Sequence, residues 1–331
     1  MPKPRKQQVA IEATPYYHCV SRCVRRAFLC GQDRVTGESY EHRRNWLENK
    51  LLALPQIFAI QIAAYAIMSN HYHVVLFIDS ASSKNWSDTE VVERWHQLFK
   101  GNLLSQKFLH GEVLSAPELA RLQICITEWR SRLTDISWFM RVLNEAIARE
   151  ANLEDGCTGR FWEGRFKSQA LLDEAALAAC MTYVDLNPVR AGIAKTPENS
   201  DHTSVKARAE TAKSAQAPNH IYQQPKELFP FAGNPRQEMP QGIAMKLTDY
   251  LELVDATGRI IRDDKRGYIP ENSKKILDRL GLDEDRWLSM TQNFENTFST
   301  FAGNEEKLRL VCERMNYRRP PGLNRCKAAF G

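Results

Sequence analysis

The chain lacks any apolar run approaching the ~18 residues that a membrane span requires, so no membrane partner is expected. The opening Met1-Pro2-Lys3-Pro4-Arg5-Lys6 is basic, but no apolar stretch follows it. It does not read as a secretory signal, and a cytoplasmic protein is expected. Closely paired cysteines are missing too. The eight thiols (Cys19, Cys23, Cys30, Cys125, Cys157, Cys180, Cys312, Cys326) are scattered, which fits reduced side chains rather than a disulfide framework. Cys19, Cys23 and Cys30 could be stretched into a zinc site but lack the close paired spacing of a zinc ribbon, and read rather as small buried or idle thiols. No internal repeat is evident, and neither sign of charge dominates: 45 Lys and Arg face 40 Asp and Glu.

What is present is an ordinary globular composition over 331 residues, enough for two domains or one enlarged domain. The net charge of +5 is unevenly placed. Residues 1–50 hold ten Lys and Arg against five acids, an excess equal to that of the whole chain. Arg22, Arg25 and Arg26 belong to this basic stretch, which suggests either a polyanion partner or a solvated basic face.

Strand and helix signals come in the order β-α-β-β-α-β-α across residues 15–188. That order predicts an α+β domain with a ferredoxin-like, RRM-like antiparallel sheet and packed helices. Tyr16–Val24 reads as the first strand, Ser39–Leu54 as a helix, Ile57–Met68 as a buried strand and His71–Ile78 as its hairpin partner. Residues 80–135 change composition and read as a helical insertion; Ile136–Glu150 is an amphipathic helix. Arg160–Leu171 is strand-like, with Arg160, Arg165 and Lys167 interleaved with Phe161, Trp162 and Phe166. That pattern suits a nucleic-acid surface, or a core-edge strand with snorkelling cations. Asp173 caps the next helix, which is expected to end at Leu186 or Asn187, before Pro188. Residues 196–240 read as a loose Pro-containing linker, and 241–331 as a mostly helical C-terminal extension.

The chemistry gathers on two of these elements. In a strand, alternate side chains share a face, so His71 and His73 point together and Tyr72 points away. They make half of a divalent-metal site, or else polar residues at a strand's entrance. On the later helix Tyr183 and Asn187 are four apart and are expected to share a face. Asn187 offers an amide oxygen as third ligand for Mg²⁺ or Mn²⁺, and Tyr183 offers a phenol. A tyrosine is a weak nucleophile at its ordinary pKa of about 10 and needs a polarised phosphodiester to attack. Asp185 is expected to face away, solvated or capping.

His71-Tyr72-His73 resembles the HUH motif of single-tyrosine HUH transposases. Tyr183-x-x-x-Asn187, followed by Pro188-Val189-Arg190-Ala191-Gly192, resembles the tyrosine helix of their REP-associated branch, as does Arg160-Phe161-Trp162-Glu163-Gly164-Arg165-Phe166 before it. The resemblance covers residues 10–195. It implies a transposase that cuts and rejoins single-stranded hairpin DNA through a 5′-phosphotyrosine on Tyr183. A divalent metal would sit on His71, His73 and Asn187, and the protein would form a homodimer. Ser69 departs from the proline usual before Asn-His, the 80–135 insertion is large, and residues 196–331 lie outside the match. Two other readings stay open: an RRM-like nucleic-acid-binding or regulatory protein that no longer transposes, and a metal-binding structural domain.

Overall fold

The computed structural model describes residues 12–24, 29–32, 37–233, 240–262 and 267–331. Arg25 and Arg26 lie outside the described residues. The chain divides into two compact units: Met1–Asn45, Ile62–Phe77 and Trp162–Gly331 form the first, and Trp46–Gln61 and Ile78–Phe161 the second.

Five strands, β1 (Tyr16–Arg22), β2 (Ile60–Ile67), β3 (His71–Ile78), β4 (Lys167–Leu171) and β5 (Phe301–Ala302), form a sheet in the order β2-β3-β1-β4-β5. The first four follow the ferredoxin-like split-βαβ order that the element sequence predicts. β1 runs antiparallel to both β3 and β4, whereas β5 joins β4 in parallel, so the sheet is mixed rather than wholly antiparallel. β4 is shorter than expected. Residues 160–166 are not regular strand; they contribute an isolated bridge between Trp162 and Cys23.

α1 (His42–Ala53) separates β1 from β2 in the chain. Between β3 and β4 come α2 (Ser80–Asn85), α3 (Asp88–His96), α4 (Leu103–Leu109), α5 (Ala116–Arg132) and α6 (Ile136–Glu154). Then follow α7 (Glu174–Asp185), α8 (Asn187–Arg190), α9 (Ser204–Ser214), α10 (Leu247–Ile261), α11 (Glu271–Leu280) and α12 (Glu284–Thr297). α13 (Glu305–Arg314) and α14 (Leu323–Phe330) follow β5. Among the described residues no helix is long and apolar enough to cross a membrane.

In the second unit the helical periodicity is realised directly. Ile136, Phe139, Met140, Leu143 and Ile147 of α6 are buried, and Phe139 meets Phe58 edge-on at 5.3 Å. Trp95 of α3 stacks on Trp129 of α5 at 5.4 Å, an aromatic pair that anchors the inserted helices.

In the first unit the described residues 196–233 of the stretch expected as a loose linker (196–240) carry ordered structure. Ile67 donates its N–H to His202 O (3.1 Å), Phe229 N–H reaches Ile62 O (2.8 Å), and Tyr65 N–H reaches Ser204 Oγ (3.0 Å). The physical reason is the free edge of β2, whose backbone groups need partners that this segment supplies. α9 also carries Arg208 into the interior, where it donates to Ala63 O (2.8 Å) and Phe229 O (3.1 Å).

Candidate active site

Register decides which side chains meet. β1 pairs with β3 so that Arg22 stands opposite His71, Val20 opposite His73 and His18 opposite Val75. β1 pairs with β4 so that Val20 stands opposite Lys167 and His18 opposite Gln169. By strand alternation, His71, His73, His18, Arg22, Lys167 and Gln169 therefore share one face. Tyr72 lies on the other face, where Trp162 packs edge-on against it at 5.7 Å and is 9% exposed. Trp162 is thus a core side chain across the sheet from the histidines.

The two motif histidines meet at 4.9 Å between ring centroids. His71 Nδ1 donates to Asn70 Oδ1 at 2.6 Å, which leaves its Nε2 lone pair unused by that bond. His73 is fully buried, and its Nδ1 is bonded to His18 Nε2 at 2.9 Å while its own Nε2 has no partner. Burial, joined by the charge of Arg22, lowers the His71 pKa to about 4. Burial, joined by His18 and His71, holds His73 well below the ordinary histidine value. Both are therefore neutral near pH 7, the form in which an imidazole can ligate.

Tyr183 projects from α7, a helix started by the Asp173 carboxylate accepting from Ala176 N–H at 2.8 Å. Its ring lies 5.7 Å from that of His73 and 6.2 Å from that of His18, edge-on to both. Phe294 of α12 lies 6.1 Å away. The helix does not run on to Asn187 as expected. α7 ends at Asp185, Leu186 serves as its cap, and Asn187 opens the short α8 with Pro188 in its first turn. A proline lacks only a donor that the first turn leaves unused, so it starts a helix more readily than it stops one here. Asn187 is 8% exposed, and its Nδ2 has no hydrogen-bond partner.

The break frees backbone carbonyls, and Arg190 takes one of them. Its Nη1 donates to Tyr183 O (2.8 Å) and to Thr291 O of α12 (3.1 Å). The guanidinium carbon sits 4.0 Å from the centre of the Tyr183 ring. Burial pushes the Tyr183 phenol up to about 12, against the opposing pull of Arg190.

The flanking charges are mixed. Arg22 is exposed beside His71, while Lys167 is paired with Glu295 of α12 at 3.0 Å. Burial raises the Glu295 carboxyl, but Lys167 outweighs it and leaves the group below its ordinary pKa. Arg165 is exposed just before β4, and Arg160 is exposed within the second unit. Asp185, expected to be solvated or capping, is fully buried: it accepts from Ser204 Oγ, Val205 N–H (3.1 Å) and Tyr250 Oη (2.6 Å).

A divalent ion fits this donor set by its chemistry. His73 Nε2 is an unpartnered buried acceptor, and the His71 bond leaves its Nε2 free to ligate; Asn187 is buried too, but its unused atom is the amide Nδ2, which donates and does not ligate. Among the described residues no group of three His, Cys, Asp or Glu side chains could hold a metal, so an ion on the two imidazoles needs a further donor of another kind, for which the motif resemblance names the Asn187 oxygen. Such mixed nitrogen and carbonyl donors suit Mn²⁺ better than Mg²⁺. Sequence reading missed His18, Gln169, Arg190, Asn70 and the α12 residues. Of these, Asn70 and Arg190 carried a local signal, Asn70 as the neighbour of His71 and Arg190 within the segment that follows Tyr183 and Asn187.

The class that these observations define is an α+β protein with a five-stranded mixed sheet and fourteen helices among the described residues. No family model matches the chain, and no curated protein matches it. Among solved structures it is similar to one described as "Structure of the REP associates tyrosine transposase bound to a REP hairpin". The two share 13% identity with a TM-score of 0.36, covering 73% of this chain and 97% of that one. A likeness at that level carries no argument about chemistry, which rests on the residues.

Proposed function

We propose that this protein is a metal-dependent DNA strand transferase of the transposase type, which cuts and rejoins single-stranded hairpin DNA through Tyr183. One observation carries the reading: the Tyr183 ring lies against His73, whose buried Nε2 has no partner, with His71 beside it. The hairpin substrate comes from the motif resemblance, and the exposed Arg22 at the rim suits a phosphate backbone.

His71, His73 and the Asn187 oxygen would hold Mg²⁺ or Mn²⁺, which would polarise the scissile phosphodiester. Tyr183 Oη attacks phosphorus and the P–O3′ bond breaks; the phenol gives up one proton and the departing 3′-oxygen takes up one to leave as a hydroxyl, so the step is proton-neutral overall. A phosphotyrosine ester replaces the phosphodiester, so attack by a 3′-hydroxyl reverses the step or joins a different end without a nucleotide cofactor. Because the phenol is protonated at neutral pH, the positive Arg190 against its ring favours the charge that develops on the oxygen.

A binding module without cleavage is the second reading, favoured by one fact: Tyr183 is only 8% exposed. The experiment that separates the two uses labelled hairpin oligonucleotides with Mn²⁺ or with chelator. The transferase reading expects metal-dependent cleavage with a free 3′-hydroxyl, lost in Tyr183→Phe while binding stays near wild type. Equal cleavage by Tyr183→Phe would remove Tyr183 as nucleophile; binding without any cleavage would select the second reading.

A further inference from the structure

We propose that His18 and Gln169 are positioning residues that fix His73 as the Nδ1–H tautomer, so that its Nε2 lone pair faces the site. The inference deepens the metal-dependent reading above and rests on it. The direction of each bond follows from a fixed end. The Gln169 amide faces Phe298 O and, at 3.5 Å, Glu295 O. Backbone carbonyls only accept, so the NH₂ group must point at them and Oε1 must point away. Oε1 lies 2.7 Å from His18 Nδ1, and as an acceptor it requires the proton on that nitrogen. Burial of the whole ring disfavours a charged His18, so its Nε2 carries no proton and can only accept. His73 Nδ1, 2.9 Å away, must then donate. A neutral imidazole has a single N–H, so the proton on Nδ1 empties Nε2. That is the atom found buried without a partner.

The two rings lie parallel within 8°, with centroids 5.2 Å apart, so the relay also fixes the plane in which His73 sits. Its origin is the carbonyl of Phe298, the residue after α12. The C-terminal extension thereby reaches a candidate ligand through three consecutive hydrogen bonds. Outer partners of this kind set both the tautomer and the orientation of a ligating histidine, and removing one typically costs about 10- to 100-fold in metal affinity.

The test uses the full chain. Ring ¹⁵N spectra of metal-free, histidine-labelled protein report the His73 tautomer directly, assigned by its disappearance in His73→Gln. Wild type is expected as Nδ1–H, and Gln169→Leu is expected to move His73 toward Nε2–H. Manganese alone is then titrated, with bound Mn²⁺ read by electron paramagnetic resonance. Gln169→Leu and His18→Leu are expected to bind about 10- to 100-fold more weakly. His18→Gln, whose amide oxygen can stand where Nε2 stood, is expected to retain most of the affinity. A wild-type His73 carrying its proton on Nε2 would overturn the inference, as would equal Mn²⁺ affinity across all variants. Wild-type protein that shows the Nδ1–H tautomer yet binds no Mn²⁺ would instead overturn the metal-dependent reading.

Discussion

Arg190 offers a prediction whose magnitude can be worked from the geometry. Replacing it by Met keeps the length of the side chain but removes the charge and both donors. The stability term comes from two hydrogen bonds to backbone carbonyls, Tyr183 O at 2.8 Å and Thr291 O at 3.1 Å. Bonds from a charged donor contribute about 1.5–3 kcal/mol each, but the half-buried cation no longer needs desolvating, so a net loss of roughly 2 kcal/mol is expected. The catalytic term is separate. A unit charge 4.0 Å from the ring centre interacts with a full negative charge there by about 4 kcal/mol at an effective dielectric of 20. The oxygen lies beyond the ring centre and bears only part of the charge in the transition state, so roughly 2–3 kcal/mol is expected, or about 30- to 150-fold in rate. Urea unfolding measures the first term, and single-turnover formation of the covalent adduct measures the second. Arg190→Lys, which keeps the charge without the planar fork, should recover part of the rate. A variant that loses stability yet forms adduct within threefold of the wild-type rate would refute the electrostatic role and leave Arg190 as a clamp on the helix break.

Three further expectations follow from the same contacts. His71 has a folded pKa of about 4 against an ordinary 6.5, so the unfolded chain binds the extra proton between those values and stability is lost as the pH falls from 6.5 to 4. Metal-free wild type should lose about 3 kcal/mol relative to His71→Asn across that window; parallel stability curves for the two proteins would contradict this. Arg208→Met removes the buried cation near the buried Asp185 and should cost about 3–5 kcal/mol in denaturant unfolding. Adding Asp185→Asn should return part of it, whereas strictly additive losses would show that the two do not interact. Trp162→Ala should cost about 3–5 kcal/mol of stability, because its ring packs on Tyr72 within the core. Weakened hairpin binding by Trp162→Ala at unchanged stability would place that ring on the DNA surface instead.

The parts of the site legible in the sequence are those governed by local periodicity. Strand alternation places His71 and His73 on one face and Tyr72 on the other, and the β3 register agrees. The element order predicts the four-strand topology for the same reason, since each strand and helix carries its own pattern. What escaped depends on contacts between distant segments. His18 and Gln169 are 151 residues apart and meet only through the pairing of β1 with β4. The α12 residues Phe294 and Glu295 come from a region without a recognisable motif, and their place follows from packing of α12 on α7. The end of α7 differs from the sequence expectation because Pro188 does not act as a stop here but sits in the first turn of α8, where a proline is equally at home. Asp185 reads locally as solvated or capping because its three partners, Ser204, Val205 and Tyr250, are long-range and invisible to a local pattern.

The central claim is that Tyr183 becomes covalently joined to DNA with the help of a divalent ion. The measurement is capture of that adduct: the protein is incubated with labelled single-stranded hairpin oligonucleotides and Mn²⁺, denatured, and the surviving protein–DNA species is digested and mapped by mass spectrometry. A phosphotyrosine link is expected on the peptide containing Tyr183, absent with chelator and absent in Tyr183→Phe. An adduct mapped to another residue, or hairpin cleavage by wild type with no covalent species at all, would contradict it.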